Sequence, residues 1–248
     1  MRKLSAVIIT YNEENNILRC INSLKGFADE ILVVDCFSTD RTVDICNSSG
    51  CKVILHEFEG YGQQKQYGVD HAANDWIFSL DADEEATEKL KQEIRAELEK
   101  DPVPYAGYEV PFSLFYMGRI LHHSKGTNLR LFNRTRGKFR YVHVHETVDV
   151  EGTVGRLKWS YIHYSYRDLF HHLQKINTYT SQAAEGYFSK GRKFSKAWVA
   201  FKFPVSFCIF YFVRLGVLDG YPGFLWAFFA ALYGSMKVAK TIEMQGKK

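Results

Sequence analysis

Short apolar runs alternate with stretches of helical period through the first hundred residues. Residues 6–10, 30–35, 53–56 and 76–80 carry the β-branched and apolar side chains of buried strands. Between them, Ile17, Cys20, Ile21 and Leu24 recur at helical spacing. Val43 and Cys46 follow Ser38 and Thr39, either of which can cap a helix, and Leu90, Ile94 and Leu98 mark a third amphipathic helix behind the N-cap residue Thr87. Parallel neighbours need a crossover, so this βαβα order predicts an α/β fold with a mostly parallel sheet. Ligands of such sheets bind beyond the carboxyl ends of the strands. Here those ends carry Thr10-Tyr11-Asn12-Glu13, Asp35-Cys36-Phe37-Ser38 and Asp81-Ala82-Asp83, three polar clusters on one predicted edge.

The pattern changes after Pro102 and Pro104. Strand-like pieces follow at 108–111, 128–133 and 142–150, and a helix begins near Asp168. From Ala197 the chain turns strongly aromatic, with "FPVSFCIFYFV" between Lys202 and Arg214 and "GYPGFLWAFFAALYGSM" between Asp219 and Lys237. Each falls short of the ~20 apolar residues of a comfortable membrane span. The run Asp219-Gly220-Tyr221-Pro222-Gly223 predicts a turn between them, hence a helical hairpin. No acid lies between Glu185 and Asp219, whereas Lys190, Arg192, Lys193, Lys196, Lys202 and Arg214 are all basic, which favours an anionic lipid surface. A helix pair buried on the rest of the chain would have the same apolar composition. The expected organisation is a main domain over 1–190, with halves 1–100 and 101–190, then a helical segment over 191–248.

Composition narrows the classes. The 248 residues are 46% hydrophobic, ample for a core, and the net charge of +4 comes with no Lys/Arg run interleaved with aromatics, so nucleic acid is not an expected partner. Five cysteines without a C-x-x-C pair suggest neither a zinc site nor a disulfide framework and fit a reducing cytosol. The opening "MRKLSAVIITYNEE" imitates a signal peptide, but its apolar run stops at Tyr11. Neither G-x-G-x-x-G after the first strand nor a P-loop is present, which argues against dinucleotide oxidoreductases and P-loop enzymes.

The run Asp81-Ala82-Asp83-Glu84-Glu85 leaves an apolar strand with four acids in five positions. Glu84, Glu85 and Glu88 suit the positive end of the following helix. Asp81 and Asp83 precede the cap, and an Asp-x-Asp pair at a strand end can hold a hard divalent cation.

Taken together, "AVIITYNEENNILRCINSL", "EILVVDCFSTDRT" and "QQKQYGVDHAANDWIFSLDADE" resemble the family 2 inverting glycosyltransferases, of GT-A fold, and the resemblance covers the whole chain, implying a catalytic domain over 1–190 with a nucleotide-sugar-binding half (1–100) and an acceptor-facing half (101–190). "NLRLFNR", "VHVHETVDVEG", "LKWSYIHYSY" and "LGVLDGYPG" are similar to the branch with lipopolysaccharide-core β-glucosyltransferases. Cys36-Phe37 departs from the small residues usual before Ser-Thr-Asp.

The resemblance implies that Thr10, Tyr11 and Glu13 line a uridine pocket, that Asp35 accepts from the uracil ring, that Asp81 meets the ribose, and that Asp83 meets a Mn or Mg cation bridging the phosphates of a UDP-sugar. Lys65 would neutralise diphosphate charge, or is a solvated helix charge. Glu146 takes the family position of the base that deprotonates the acceptor, with His145 beside it to orient it or reach the metal. Strict alternation would put Glu146 with Val144 and Val148, so either the strand kinks there or Glu146 is an ordinary acid. His163 is a candidate metal ligand. Arg130 and Arg134 are candidates for the diphosphate or acceptor, or are solvated strand charges.

The expected activity is metal-dependent transfer of a hexose, glucose foremost, to a lipopolysaccharide-core or other lipid-linked acceptor. The expected place is the bacterial cytoplasm, peripherally on the inner face of the cytoplasmic membrane. Transfer to a polyprenyl phosphate, or a sugar-nucleotide-binding module without turnover, are the alternatives.

Overall fold

The computed structural model describes residues 2–140 and 147–246, which form two compact units: residues up to Phe112 together with Gly126–His163, and Ser113–Lys125 together with the chain from Tyr164 onward. The first unit begins with β1 (Leu4–Thr10), α1 (Ile17–Leu24), β2 (Glu30–Asp35), α2 (Thr42–Ser48), β3 (Lys52–Leu55), α3 (Tyr61–His71) and β4 (Trp76–Asp81). These are the predicted strands and helices, with β3 displaced one residue toward the N-terminus. A two-residue β5 (Glu84–Glu85) and α4 (Glu88–Glu99), capped by the Thr87 side chain, follow.

β1 pairs in parallel with β2 on one side and β4 on the other, and β2 pairs in parallel with β3. Every residue of β1 is buried, as expected for a central strand covered on both faces. α3 packs on β1 and β2 through Gly68, where a Cβ would stand 2.4 Å from Val7 Cγ1 and 2.8 Å from Val34 Cγ2. Only glycine permits that approach. Beyond β4 the sheet turns mixed. β6 (Gly107–Tyr116) and β7 (Arg119–Asn133) extend the order to β3-β2-β1-β4-β7-β6, with β7 antiparallel to β4. β8 (Gly137–Phe139) pairs with β9 (Val148–Val150), β10 (Val154–Arg156) joins β6, and β11 (Tyr161–His163) brings its end antiparallel to β5. Of the strand expected over 142–150, Val148–Val150 is observed, and residues 141–146 lie outside the described residues.

Two local expectations are corrected. Ser38 and Thr39 do not cap α2, which starts at Thr42; Ser38 is held by Asp35 and Asn12 instead. The Gly220–Gly223 run is not the turn between the C-terminal helices either. It forms the first turn of the last helix, where a proline costs no hydrogen bond.

The second unit contains α5 (Leu169–Ser189), capped by Asp168, then α6 (Lys196–Cys208), a π-helical turn at Ile209–Val213, a 3-10 turn at Gly216–Asp219, and α7 (Gly220–Gly246). Ile176 and Phe229 pack with Leu114, Tyr116 and Leu121 at its core. There the buried His172 ring meets the Tyr116 hydroxyl at 2.9 Å, packs at a tilt against Tyr166 and Phe229, and stacks with Trp226. Phe203 meets Phe228 and Phe207 meets Phe224, so α6 and α7 run antiparallel as the predicted hairpin.

Candidate functional site

Strand register aligns the polar residues at the carboxyl edge. Thr10 lies opposite Asp35, and Ile9 lies opposite Asp81, so β2, β1 and β4 deliver Asp35, Thr10 and Asp81 side by side on adjacent strands. With strands about 4.8 Å apart, that edge is the width of a nucleoside. Thr10 Oγ1 is buried without a hydrogen-bond partner, which leaves it able to bond a ligand or a water. Tyr11 projects exposed beside it.

The loops after β1 and β2 are tied together. Asp35 is fully buried and accepts from Ser38 N at 2.8 Å and Ser38 Oγ at 2.5 Å. Ser38 Oγ accepts in turn from Asn12 N, Thr39 N donates to Asn12 Oδ1, and Glu13 N donates to Thr42 Oγ1, each at 2.8 Å. The Glu13 carboxylate accepts from Asn16 Nδ2 at 2.7 Å. Asn12 and Phe37 both hold positive φ, of 52° and 59°. Asparagine tolerates that conformation; for the bulky, exposed Phe37 it is strained, and the network just described holds it.

At β4 the acids have separate roles. Asp81 Oδ1 meets Lys65 Nζ at 2.9 Å, and Asp81 Oδ2 accepts from Arg130 Nη2 at 2.9 Å. Lys65, on α3, is buried, so it is not a solvated helix charge. Burial alone would raise the Asp81 carboxyl, but Arg130 and Lys65 outweigh it and hold Asp81 well below the usual carboxylate range. Each Asp81 oxygen keeps a lone pair and the side chain stays partly exposed, so a ligand hydroxyl can still be accepted.

Contrary to the expectation from the sequence, Glu84 and Glu85 do not open α4, which starts at Glu88. Glu84 is the buried one of the two. It sits in β5 with no exposed side-chain surface, accepting from Arg130 Nη2 at 2.6 Å and from the Asp81 backbone N–H at 2.8 Å. Burial pushes its carboxyl up to about 7, with Arg130 opposing and the Asp81 charge adding to the rise. Arg130 is therefore a bridge between two carboxylates, with the Tyr161 hydroxyl 3.4 Å from its Nε and Asn128 Nδ2 donating to the same hydroxyl at 2.9 Å. Arg134 lies apart from this group, donating to Ala72 O at 2.6 Å and to Val69 O at the end of α3.

Asp83 follows in the turn, and the β5–β11 pairing brings His163 to it, with Nε2 3.3 Å from Asp83 Oδ2. Burial lowers the His163 imidazole, but the hydrogen bond and charge of Asp83 prevail and raise it above its ordinary value. An oxygen and a nitrogen donor, both partly exposed, suit a hard cation shared with ligand phosphates, because such ions keep several waters and use one or two protein carboxylates. No cluster of three or more His, Cys, Asp or Glu able to enclose a metal occurs among the described residues. Glu146 and His145 lie outside them.

The structure thus brings Lys65, Asp81 and Arg130 into one cluster and Asp83 and His163 into a neighbouring pair, with Thr10 and Asp35 along the same edge. Sequence reasoning missed Glu84, Asn128 and Tyr161. Glu84 carried no distinguishing signal among its acidic neighbours, and the other two lie on strands distant in sequence.

Residues 5–152 match the family described as glycosyl transferase family 2. An uncharacterized glycosyltransferase of Rickettsia typhi is 32% identical over 262 residues, covering 100% of this chain and 89% of its own length. The lipopolysaccharide core biosynthesis glycosyltransferase LpsC of Rhizobium meliloti is 30% identical over 256 residues, covering 99% and 94%. Among solved structures, glucosyl-3-phosphoglycerate synthase from Mycobacterium tuberculosis, in complex with Mn2+, UDP and glucosyl-3-phosphoglycerate, is similar over 47% of this chain and 45% of its own, with 23% identity and a TM-score of 0.37.

Proposed function

The chain belongs to glycosyl transferase family 2, and from that premise we propose that it transfers a hexose, glucose foremost, with inversion from a UDP-sugar to a lipopolysaccharide-core or other lipid-linked glycan at the inner face of the cytoplasmic membrane. The observation that carries this reading is the clamped Asp81 at the sheet edge, with the buried, unpartnered Thr10 hydroxyl on the adjacent strand and the Asp83–His163 pair in the following turn. The name of the Rhizobium meliloti relative supports the acceptor class.

In this reading Thr10, Tyr11, Glu13 and Asp35 form the nucleoside pocket, and Asp81 accepts from the ribose. Lys65 and Arg130 act on the nucleotide through Asp81: they keep it ionised and in one rotamer, so the pocket is organised before the donor arrives. Asp83 and His163 would hold the divalent cation, Mn or Mg, which when bound neutralises the charge of the departing diphosphate. Glu146 removes the proton of the acceptor hydroxyl on the face of the sugar opposite the leaving group, so the acceptor oxygen bonds to the anomeric carbon as the bond to the diphosphate breaks and UDP leaves, in one in-line displacement without a covalent intermediate.

The test is a donor screen with the full-length protein. UDP-glucose, UDP-galactose, UDP-N-acetylglucosamine and GDP-mannose are incubated with Mn2+ or Mg2+, and nucleotide release is measured with and without lipopolysaccharide-core acceptor. Metal-stimulated UDP release that accelerates with acceptor is expected. Absence of UDP-sugar binding by calorimetry would overturn the reading.

A further inference from the structure

α6 presents apolar side chains on two opposite faces, and only one of them is packed. Its inner face meets α7, with Phe203 5.4 Å from Phe228, Phe207 5.7 Å from Phe224, and Tyr211 at the next turn 5.8 Å from Phe224. Trp198, Phe201, Val205, Ile209 and Phe212 recur at spacings of three and four on the other face, and all five are exposed. A surface helix ordinarily turns charged or polar residues outward. The stripe continues around the hairpin tip through Val213, 74% exposed, and Leu218 and Tyr221, each 65% exposed. Apolar surface this continuous marks a binding face.

The tip is held firmly. Asp219 is buried and accepts from the backbone N–H groups of His122 and His123 at 3.0 and 3.1 Å. A Cβ on Gly223 would stand 2.0 Å from Gly216 O, so the tip and the start of α7 are in close backbone contact. The exposed side chains are therefore displayed on a fixed scaffold.

The charge around this surface selects its occupant. Lys190, Arg192, Lys193 and Lys196 lead into α6, Lys202 and Arg214 lie along it, and no acid occurs from 186 to 218. The Lys202 ammonium stands 5.8 Å from the Trp198 ring and the Arg214 guanidinium 4.9 Å from the Phe210 ring, stems along the apolar surface with their charges at its margin. Aromatic rings bordered by lysine and arginine suit the headgroup boundary of an anionic bilayer.

We infer that the outer face of α6 and the hairpin tip insert into one leaflet of an anionic membrane without crossing it. Contrary to the expectation that both apolar stretches fall short of a span, the continuous helix Lys196–Val213 has 18 residues and a mean hydropathy of 1.4, long and apolar enough to cross by length and composition alone. Its partner prevents that. α7 lies along α6, and within that length its other side is bound to polar parts of the same unit: Trp226 and Phe229 pack on the His172 ring of α5, and Asp219 at the tip accepts from the backbone N–H groups of His122 and His123. A crossing α6 would carry these groups into hydrocarbon. A helix lying in the interface buries one face about 5–10 Å deep, which matches a stripe on one side only. This surface names the partner of a lipid-linked glycan transferase, and its purpose rests on that reading.

Full-length protein is sedimented with vesicles of phosphatidylglycerol and phosphatidylethanolamine, or of phosphatidylcholine alone, at low and high salt, while UDP release from the donor is followed in parallel without vesicles. The anionic vesicles should bind about tenfold more tightly than the neutral ones, and alkaline carbonate should release the protein. F201E/F212E, on exposed positions, should weaken binding about tenfold or more, and K193E/K196E should erase the preference for anionic lipid; both should leave UDP release unchanged. Unaltered vesicle binding by F201E/F212E overturns the inference, as does a carbonate-resistant pellet. So does a wild-type protein that ignores vesicles and elutes as a dimer that F201E/F212E splits, which would make a second copy the occupant. Loss of UDP release with vesicle binding intact would count against the catalytic reading alone.

Discussion

Replacing Arg130 with Met removes the cation between two carboxylates while keeping most of the side chain's volume. Arg130 Nη2 lies 2.9 Å from Asp81 Oδ2 and 2.6 Å from Glu84 Oε1, and the Glu84 side chain has no exposed surface. Lys65 still neutralises Asp81 in the variant, so the uncompensated charge is that of Glu84. Breaking a buried ion pair from one side costs about 3–5 kcal/mol when the remaining charge cannot escape. Glu84 escapes by taking a proton. Because the wild-type carboxyl is already pushed up to about 7, taking that proton costs the variant little extra below pH 7 and about 1.36 kcal/mol per pH unit above it.

The sign follows from proton binding. With the folded pKa of Glu84 above its unfolded value, the folded state binds more protons between the two, so stability falls as pH rises through that window. Burial raises this pKa in the wild type, and losing Arg130 raises it further. Urea unfolding of both proteins at pH 5, 6, 7 and 8 should therefore show a destabilisation of R130M that is level below pH 7 and larger by about 1 kcal/mol at pH 8 than at pH 7. R130K should recover little, because one ammonium cannot reproduce the guanidinium bridge. A loss that is small and independent of pH would refute the assignment of Arg130 as the partner of buried Glu84.

The other predictions address the site and the second unit. Asp83→Asn should abolish metal-stimulated turnover and leave UDP binding weaker and independent of metal, read by calorimetry with and without Mn2+; near-normal turnover with the same Mn2+ dependence would exclude Asp83 as a ligand. Glu146→Gln should lower kcat by roughly two to four decades with UDP-sugar affinity nearly intact, whereas full activity would favour a polyprenyl-phosphate acceptor, which needs no base. Burial, aided by the charges of Lys175 and His171, lowers His172 to about 4. The unfolded chain then binds the extra proton between about 4 and 6.5, so this contribution is complete above 6.5 and lost as pH falls through the window, up to about 3 kcal/mol. His172→Phe should flatten that part of the acid-unfolding curve, and an unchanged slope would show that His172 is not its source.

What the sequence determined by itself was local. Strand positions 30–35 were read to the residue, Thr87 was identified as the cap of α4, and the start of α5 was placed near Asp168, because apolar period and cap chemistry act within a few residues. The parallel order of the first four strands, and with it the edge where Thr10, Asp35 and Asp81 gather, followed from the βαβα alternation. Partners were another matter. Glu84 looked like any acid at a helix start, and only the short β5–β11 pairing and the reach of β7 put Arg130 and Tyr161 against it. Lys65 had the spacing of a solvated helix charge, and it is buried because Gly68 lets α3 settle onto β1 and β2. On α6 the composition favoured a membrane surface but left a buried helix pair open. The choice of packed face was made by α7, since a helix with two apolar faces has no preferred inside until a neighbour covers one of them.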